Sequence, residues 1–275
     1  MEKRKEPFGT KLAAVYLAVY SAGTFAFAAE NAHANSYGTE ITKYDGVGNN
    51  GLGNIKEDNE AEPGMAQSQV WDLEGFFING SKLTIIGGYN FYTGQENMKA
   101  GDIFIDTNND AIYSPNTIPG YNYDPGYKNV SNSLFKYEYV LDVNWNAGTF
   151  DIVQLSQDSL LQDTAYGEIY NIPSNPWRYT SGGTVVTGGL SIYNYNKSSQ
   201  SNTGFFGWSG NSNHYVATFD IAGININNGA LYHNTMECGN DNLIGQSAPV
   251  PEPTTMLLFG TGLTGLIGAR MKKKA

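Results

Sequence analysis

Cysteine, histidine and basic side chains are all scarce in this chain: its 275 residues hold one Cys, three His, and 16 Lys and Arg against 26 Asp and Glu. A lone thiol cannot close an internal disulfide, so no cross-linked framework holds the fold, and any bridge through Cys238 would join two chains. His214, His233 and that cysteine fall short of a zinc set. No P-loop occurs, and no G-x-G-x-x-G precedes a helical pattern. Ser209, within Gly207-Trp208-Ser209-Gly210, does not form the G-x-S-x-G elbow of a hydrolase. Helical periodicity is scarce.

The basic residues that exist crowd at the two ends. Lys3, Arg4, Lys5 and Lys11 precede the apolar stretch Leu12 to Phe27, and Ala26-Phe27-Ala28 supplies a small-x-small cleavage site, with a second at Ala32-His33-Ala34. Residues 1–28 are thereby predicted to be a secretory signal peptide. At the other end an uncharged run from Thr254 to Ala269 is followed by Arg270, Lys272, Lys273 and Lys274. Sixteen uncharged residues are slightly short for a bilayer, which flanking lysines and local thinning can accommodate. A short transmembrane helix is expected there. Its basic end would stay in the cytoplasm and hold the rest of the chain outside. Gly260, Gly262, Gly265 and Gly268 weaken it, which suits a transient anchor.

With both ends set aside, Ala29 to Val250 carries 8 basic and 23 acidic residues, a formal charge of −15. Such a surface repels nucleic acid and anionic lipid and suits cations, cationic polymers or neutral glycans.

Val250-Pro251-Glu252-Pro253, the apolar helix after it and the basic cluster resemble, in that order, the PEP-CTERM sorting signal of bacterial proteins processed by exosortase. The resemblance covers about the last 26 residues. It implies a Gram-negative exported protein, held in the inner membrane through this helix, cut near Pro251-Glu252-Pro253, and then released or attached in an exopolysaccharide-rich surface layer or biofilm matrix. The two prolines keep the recognition segment extended.

Between the ends the sequence is rich in Gly, Tyr, Asn and Ser. Phe135 to Trp145 sets Tyr137, Tyr139, Leu141, Val143 and Trp145 against Lys136, Glu138, Asp142 and Asn144, a period of two that predicts a strand with one buried and one wet face. Asn146-Ala147-Gly148 reads as a hairpin turn into Thr149 to Leu155. Further strands are expected at Gln69 to Ile78, Lys82 to Phe91, Asp102 to Asp106, Tyr166 to Ile172, Thr184 to Tyr193, His214 to Ile221 and Ala230 to Met236. The expected class is all-β, an antiparallel β-sandwich or jelly-roll-like ectodomain. The predicted division is signal peptide 1–28, a loosely structured segment 29–66 poor in large apolar residues, a β-sandwich 67–247 and the sorting signal 248–275.

Three stretches invite chemistry. In "GDIFIDTNNDAIY", Asp106, Asn108 and Asp110 alternate, with Asp102 ahead of them, and oxygen ligands at such spacing suit Ca²⁺. Ala111 replaces the turn glycine of an EF-hand and Thr117 its closing Glu, so a polar Asx turn is the competing reading. "GYNYDPGY" and "FFGWSG" place Tyr121, Tyr123, Tyr127 and Trp208 in turn-rich loops, where rings can stack on sugar faces or pack strand edges. Cys238 with His233 as base makes a poor nucleophile pair, because residues five apart on a strand face opposite sides; a buried, inert thiol is expected. No catalytic group is assigned. The functional expectation is a non-enzymatic structural or glycan-binding envelope protein, with Ca²⁺ as its one candidate cofactor. A polysaccharide-active hydrolase on the same scaffold is the alternative, and an adhesin with a large apolar patch is a third class.

Mass spectrometry of surface-exposed protein from cells should find the C-terminus missing beyond Val250 to Pro253; intact Lys274 would overturn the processing site. Changing Arg270, Lys272, Lys273 and Lys274 to Gln should weaken membrane retention of the precursor.

Overall fold

Gly, Asn and Asp interrupt the chain every few residues, and the Val, Ile, Phe and Tyr between them favour pleated, half-buried backbone, so short strands form and, among the described residues, almost no helix. The computed structural model describes residues 34–35, 37–44, 61, 65–66, 68–112, 128–164, 174–195 and 214–249. Along them run β1 (Ala34–Asn35), β2 (Gly38–Glu40), β3 (Thr42–Tyr44), a 3-10 turn Gln69–Trp71, β4 (Leu73–Asn79), β5 (Lys82–Gly87), β6 (Ile103–Asp106) and β7 (Asn129–Ser131). They continue with β8 (Tyr139–Asn144), β9 (Thr149–Gln154), β10 (Leu160–Gln162), β11 (Arg178–Ser181), β12 (Thr184–Ser191), β13 (Tyr215–Asp220), β14 (Ala230–Thr235) and β15 (Asn242–Ser247). The signal peptide, the C-terminal helix and the strand expected at Tyr166 to Ile172 lie outside the described residues. Among the described residues no helix is long and apolar enough to cross a membrane.

The strands form a five-stranded sheet, β1-β2-β4-β5-β13, a seven-stranded sheet, β12-β9-β8-β6-β14-β15-β3, and a three-stranded sheet, β11-β10-β7. Neighbours pair antiparallel throughout, as expected for an all-β chain. One apolar core draws Phe76, Leu83, Ile85, Ala217 and Phe219 from the five-stranded sheet and Ile103, Leu141, Phe150, Ile152, Tyr232 and Leu243 from the seven-stranded sheet. A second cluster lies on the opposite side of the large sheet, where Phe104, Val140 and Val153 meet Phe135, Tyr137 and Leu161 under the three-stranded sheet. The middle of β6, β8 and β9 is therefore covered on both faces.

That double cover corrects the reading of residues 135–145. The strand begins at Tyr139, because Lys136 takes a positive φ of 64° and breaks the run. Asn132 stands in for a strand partner: its Nδ2 donates to the Tyr137 carbonyl (2.8 Å) and its Oδ1 accepts the Tyr137 N–H (3.1 Å). Tyr137 thus packs in the second cluster while Leu141 and Trp145 enter the first. The expected wet face is wet only at its ends, since Val140 in its middle is fully buried. Of the strand expected at Gln69 to Ile78, the first three residues instead form the 3-10 turn. β1, β2, β3, β7, β10, β11 and β15, unforeseen in the sequence, have few alternating apolar positions or are two to four residues long.

Phe219, fully buried on β13, sets its ring edge-on to Phe150 (5.1 Å, 82°) and Trp145 (5.9 Å, 88°) across the core. Phe219→Ala should cost about 3–5 kcal/mol of unfolding free energy, read from urea denaturation. A loss below about 1 kcal/mol would show that the two sheets do not share this core.

Candidate functional site

The pairing of β6, β8 and β9 aligns three carboxylates in a row. Ile103 faces Leu141 and Asp142 faces Asp151 in the two ladders, so Asp102, one residue before β6, extends the same row. Side chains two apart share a face, which puts these acids on the side of Phe104, Val140 and Val153. Asp106 and Glu138 lie at the other end of that face. The apolar middle is capped by the three-stranded sheet, and an acidic group stands on either side of the cap.

Gly101 and Asp102 tie the first group to its surroundings. The Asp102 N–H donates to the Trp177 carbonyl (2.8 Å), and its two carboxylate oxygens accept the N–H groups of Val143 (2.9 Å) and Tyr179 (2.8 Å). Gly101 O accepts from Trp145 Nε1 (3.1 Å) and Asn234 Nδ2 (3.2 Å). A Cβ at Gly101 would collide with the carbonyl oxygens of Thr235 and Trp177, so only glycine fits. Burial, then the neighbouring Asp142, pushes the Asp102 carboxyl up to about 7. Asp142 is raised by burial and by Asp151, with Arg178 opposing. Asp151 accepts the Gly189 N–H (2.6 Å) through Oδ1, delivered by an irregularity in β12 where Gly189 takes a φ of +67°.

These groups line an open cleft of about 600 Å³. Tyr92, Trp145 and Trp177 contribute rings, Asn144 and Asn146 amides, and Lys99 and Arg178 cations. The Arg178 guanidinium lies 5.8 Å from the centre of the Trp177 ring. Trp177 is 3% exposed, and its indole N–H has no acceptor among the described residues. The cleft was not anticipated in the sequence, although one signal for it was there: a hairpin turn at Asn146 to Gly148 sets Asp142 opposite Asp151.

The second acidic group differs from the set expected in the sequence. Asp106, Asp110 and Glu138 bring one oxygen each to within 4.8 Å of one another. Asp102 is not with them; four residues along one strand separate it from Asp106 by about 13 Å. Glu138 arrives instead from the turn before β8. Asp106 is fully buried, and its Oδ1 accepts the N–H groups of Asn108 (2.9 Å) and Asn109 (2.7 Å), its Oδ2 that of Ala111 (2.8 Å). Asn108 Nδ2 donates to Glu138 Oε1 (2.6 Å), and Lys136 Nζ reaches Asp110 at 3.5 Å. Burial raises Glu138, the Thr107 N–H opposes the rise, and Asp106 and Asp110 add to it.

Cys238 and His233 stand apart. His233 stacks on Tyr137 (6.0 Å, 7°) at the second cluster, whereas Cys238 belongs to the first. Burial pushes the thiol up to about 12 and the imidazole down to about 3, so both are neutral and unfit for nucleophilic chemistry. Tyr121, Tyr123, Tyr127 and Trp208, and the tail residues Val250 to Pro253 and Arg270 to Lys274, lie outside the described residues.

Burial also pushes Glu40 up to about 7. Asp102 and Glu40 thus keep protons in the folded chain that the unfolded chain has already released, so stability falls as pH rises from the ordinary carboxylate range to about 7. His233 acts in the opposite direction below its unfolded value, as one group against two. The melting temperature should be higher at pH 5 than at pH 8, and Asp102→Asn should narrow the difference. A higher value at pH 8 would overturn these assignments.

No curated protein and no solved structure matches the chain. Residues 249–274 match the PEP-CTERM protein-sorting motif, which spans the Pro-Glu-Pro segment, the apolar run and the basic residues through Lys274. The chain therefore carries a PEP-CTERM sorting motif and is an exosortase substrate, exported as a membrane-anchored precursor.

Proposed function

We propose that the processed chain is a non-enzymatic structural or glycan-binding element of the bacterial surface or extracellular matrix, a β-sandwich that takes a sugar in the cleft between Tyr92, Trp145 and Arg178. The observation that carries this reading is the cleft itself, about 600 Å³ with aromatic rings beside Asn144, Asn146, Asp142 and Asp151. Rings cover the apolar faces of a sugar, and planar amides and carboxylates bond its hydroxyls. The sorting motif supports the setting, since it marks an exported, membrane-anchored precursor.

A hydrolase needs two carboxyls free to act as acid and as base or nucleophile. Here both Asp102 oxygens and one oxygen of Asp151 already accept backbone N–H groups, and of the three acids Asp142 is the one with no hydrogen bond among the described residues. That favours binding over cleavage. Ca²⁺ belongs to the proposal at the second acidic group, where Asp106, Asp110 and Glu138 would supply carboxylates and Asn108 an amide oxygen.

A glycan array run on the exported protein in millimolar Ca²⁺ and in chelator, beside an activity screen on polysaccharides, tests both parts. Binding without release of reducing ends is expected, with a melting temperature raised by Ca²⁺ and an Asp106→Asn/Asp110→Asn variant that no longer responds to the ion. Reducing ends would make the chain a hydrolase, and silence of the array in both conditions would overturn the sugar reading.

A further inference from the structure

Four large apolar side chains stand exposed among the described residues, and three of them, Val185 (57%), Val186 (44%) and Tyr193 (50%), lie on β12 or just beyond it. Single exposed apolar residues need no cause, whereas a cluster on one edge strand marks a contact surface. β12 ends the seven-stranded sheet: it pairs with β9 on one side, and no second strand pairs with it among the described residues. All of its residues are exposed except the half-buried Leu190. Beside it, Leu190, Tyr193, Ala222 and Gly223 help to line a small notch of about 210 Å³. Val186 leans toward that notch, 3.7 Å from the position a Cβ on Gly223 would take.

Two features of this strip fit it to a second copy of the chain. No charged residue occurs from Tyr179 to Tyr195, although Ala29 to Val250 carries a formal −15, so two copies repel each other over most of their surface and least where this strip meets itself. The order Val185-Val186-Thr187-Gly188-Gly189 is also self-complementary. Laid antiparallel about Thr187, the valine pair of each copy falls on the glycine pair of the other, and no atom lies within 4 Å of the position a Cβ on Gly189 would take. We infer that the exported chain forms a two-fold dimer through β12, with Thr187 on the axis and Val185 of each copy packed on Gly189 of the other. The irregularities of β12 at Val185–Thr187 and Thr187–Leu190, with Gly189 at a φ of +67°, spoil its backbone as a template for a long ladder. Side chains therefore make the contact, and the two-fold closes it at two copies. A strip about 26 Å long and about 10 Å deep covers roughly 260 Å², well under the about 800 Å² per partner of a standard interface. The dimer is consequently weak and fills where copies are crowded, as on the membrane that holds the precursor. No β12 residue lines the cleft, so this contact stands independently of the sugar reading.

Sedimentation equilibrium of the exported protein, at concentrations from about 10 μM to about 1 mM to suit a weak contact, tests the inference. The mass should rise from one copy toward two and stop there. Added salt should strengthen the association, because it screens the repulsion between copies and the contact holds no ion pair. Val185→Lys should weaken it by about tenfold or more with the melting temperature unchanged, since the residue is exposed; the same change lowers the negative charge and would favour an association without a defined site. Thr187→Cys faces its own copy across the axis and should give a disulfide-linked dimer on mild oxidation, while the buried Cys238 stays reduced. A single-copy mass at every concentration would overturn the dimer, and a mass that climbs past two copies would overturn the two-fold. Association that weakens with salt would show an ionic contact elsewhere. Association left unchanged by Val185→Lys, or a Thr187→Cys variant that associates without linking, would overturn the placement on β12.

Discussion

Asp102 is bonded to two separate strands, β8 and the start of β11, and the arrangement of the cleft depends on it. Its carboxylate holds the N–H groups of Val143 on β8 and Tyr179 on β11, and its own N–H holds the carbonyl of Trp177. A small sheet has little area with which to bury itself. Two of these hydrogen bonds tie its edge to the back of the large sheet and place Trp177 and Arg178 beside Asp142, while the third fixes Asp102 to β8. Gly101 makes the approach feasible, because any side chain there would meet two carbonyl oxygens. Two backbone donors on a buried carboxylate lower the cost of its charge without cancelling it, and Asp102 consequently titrates near neutrality.

The rest of the site follows from one sheet having two covers. The main core covers the front of β6, β8 and β9 along their length, while the three-stranded sheet covers only the middle of the back. Charged residues are excluded from both buried zones by desolvation and collect at the two ends of the back face. One end closes over Asp106 as a turn whose backbone N–H groups bond both oxygens of its carboxylate. The other opens as a cleft, with aromatic walls and a carboxylate that the protein leaves without a donor. The two groups are therefore different in kind, one organised around its own backbone and one facing outward.

Much of this could be read in advance. The turn at Asn146 to Gly148 and the alternation on either side of it specify the β8–β9 hairpin, and the register of a short hairpin is local information. The strands at Ile103–Asp106, Tyr215–Asp220 and Ala230–Thr235 were visible for the same reason: apolar and β-branched residues bounded by turn residues. The break at Lys136 was not, because it depends on the Asn132 side chain mimicking a strand across the turn. Nor was Glu138 beside Asp106, since β6 and β8 are separated by about thirty residues of sequence and meet only through pairing. The aromatic loops at Tyr121 to Tyr127 and at Trp208 drew attention as clusters, whereas the rings that line the cleft are single residues from separate segments.

The sequence by itself determined the sorting motif of this protein and its class of fold. A sorting motif is a contiguous stretch with a fixed order of Pro-Glu-Pro, apolar run and basic residues, so it is legible without the fold. Strand propensity is likewise local. Only the tertiary structure decided which acids stand together, because carboxylates at positions 102, 142 and 151 become neighbours through strand pairing and a shared face, quantities that a linear pattern does not carry. Whether each is then held by the backbone or left without a donor depends on N–H groups delivered from β8, β11 and the irregular β12, and those are positioned by the packing of three sheets.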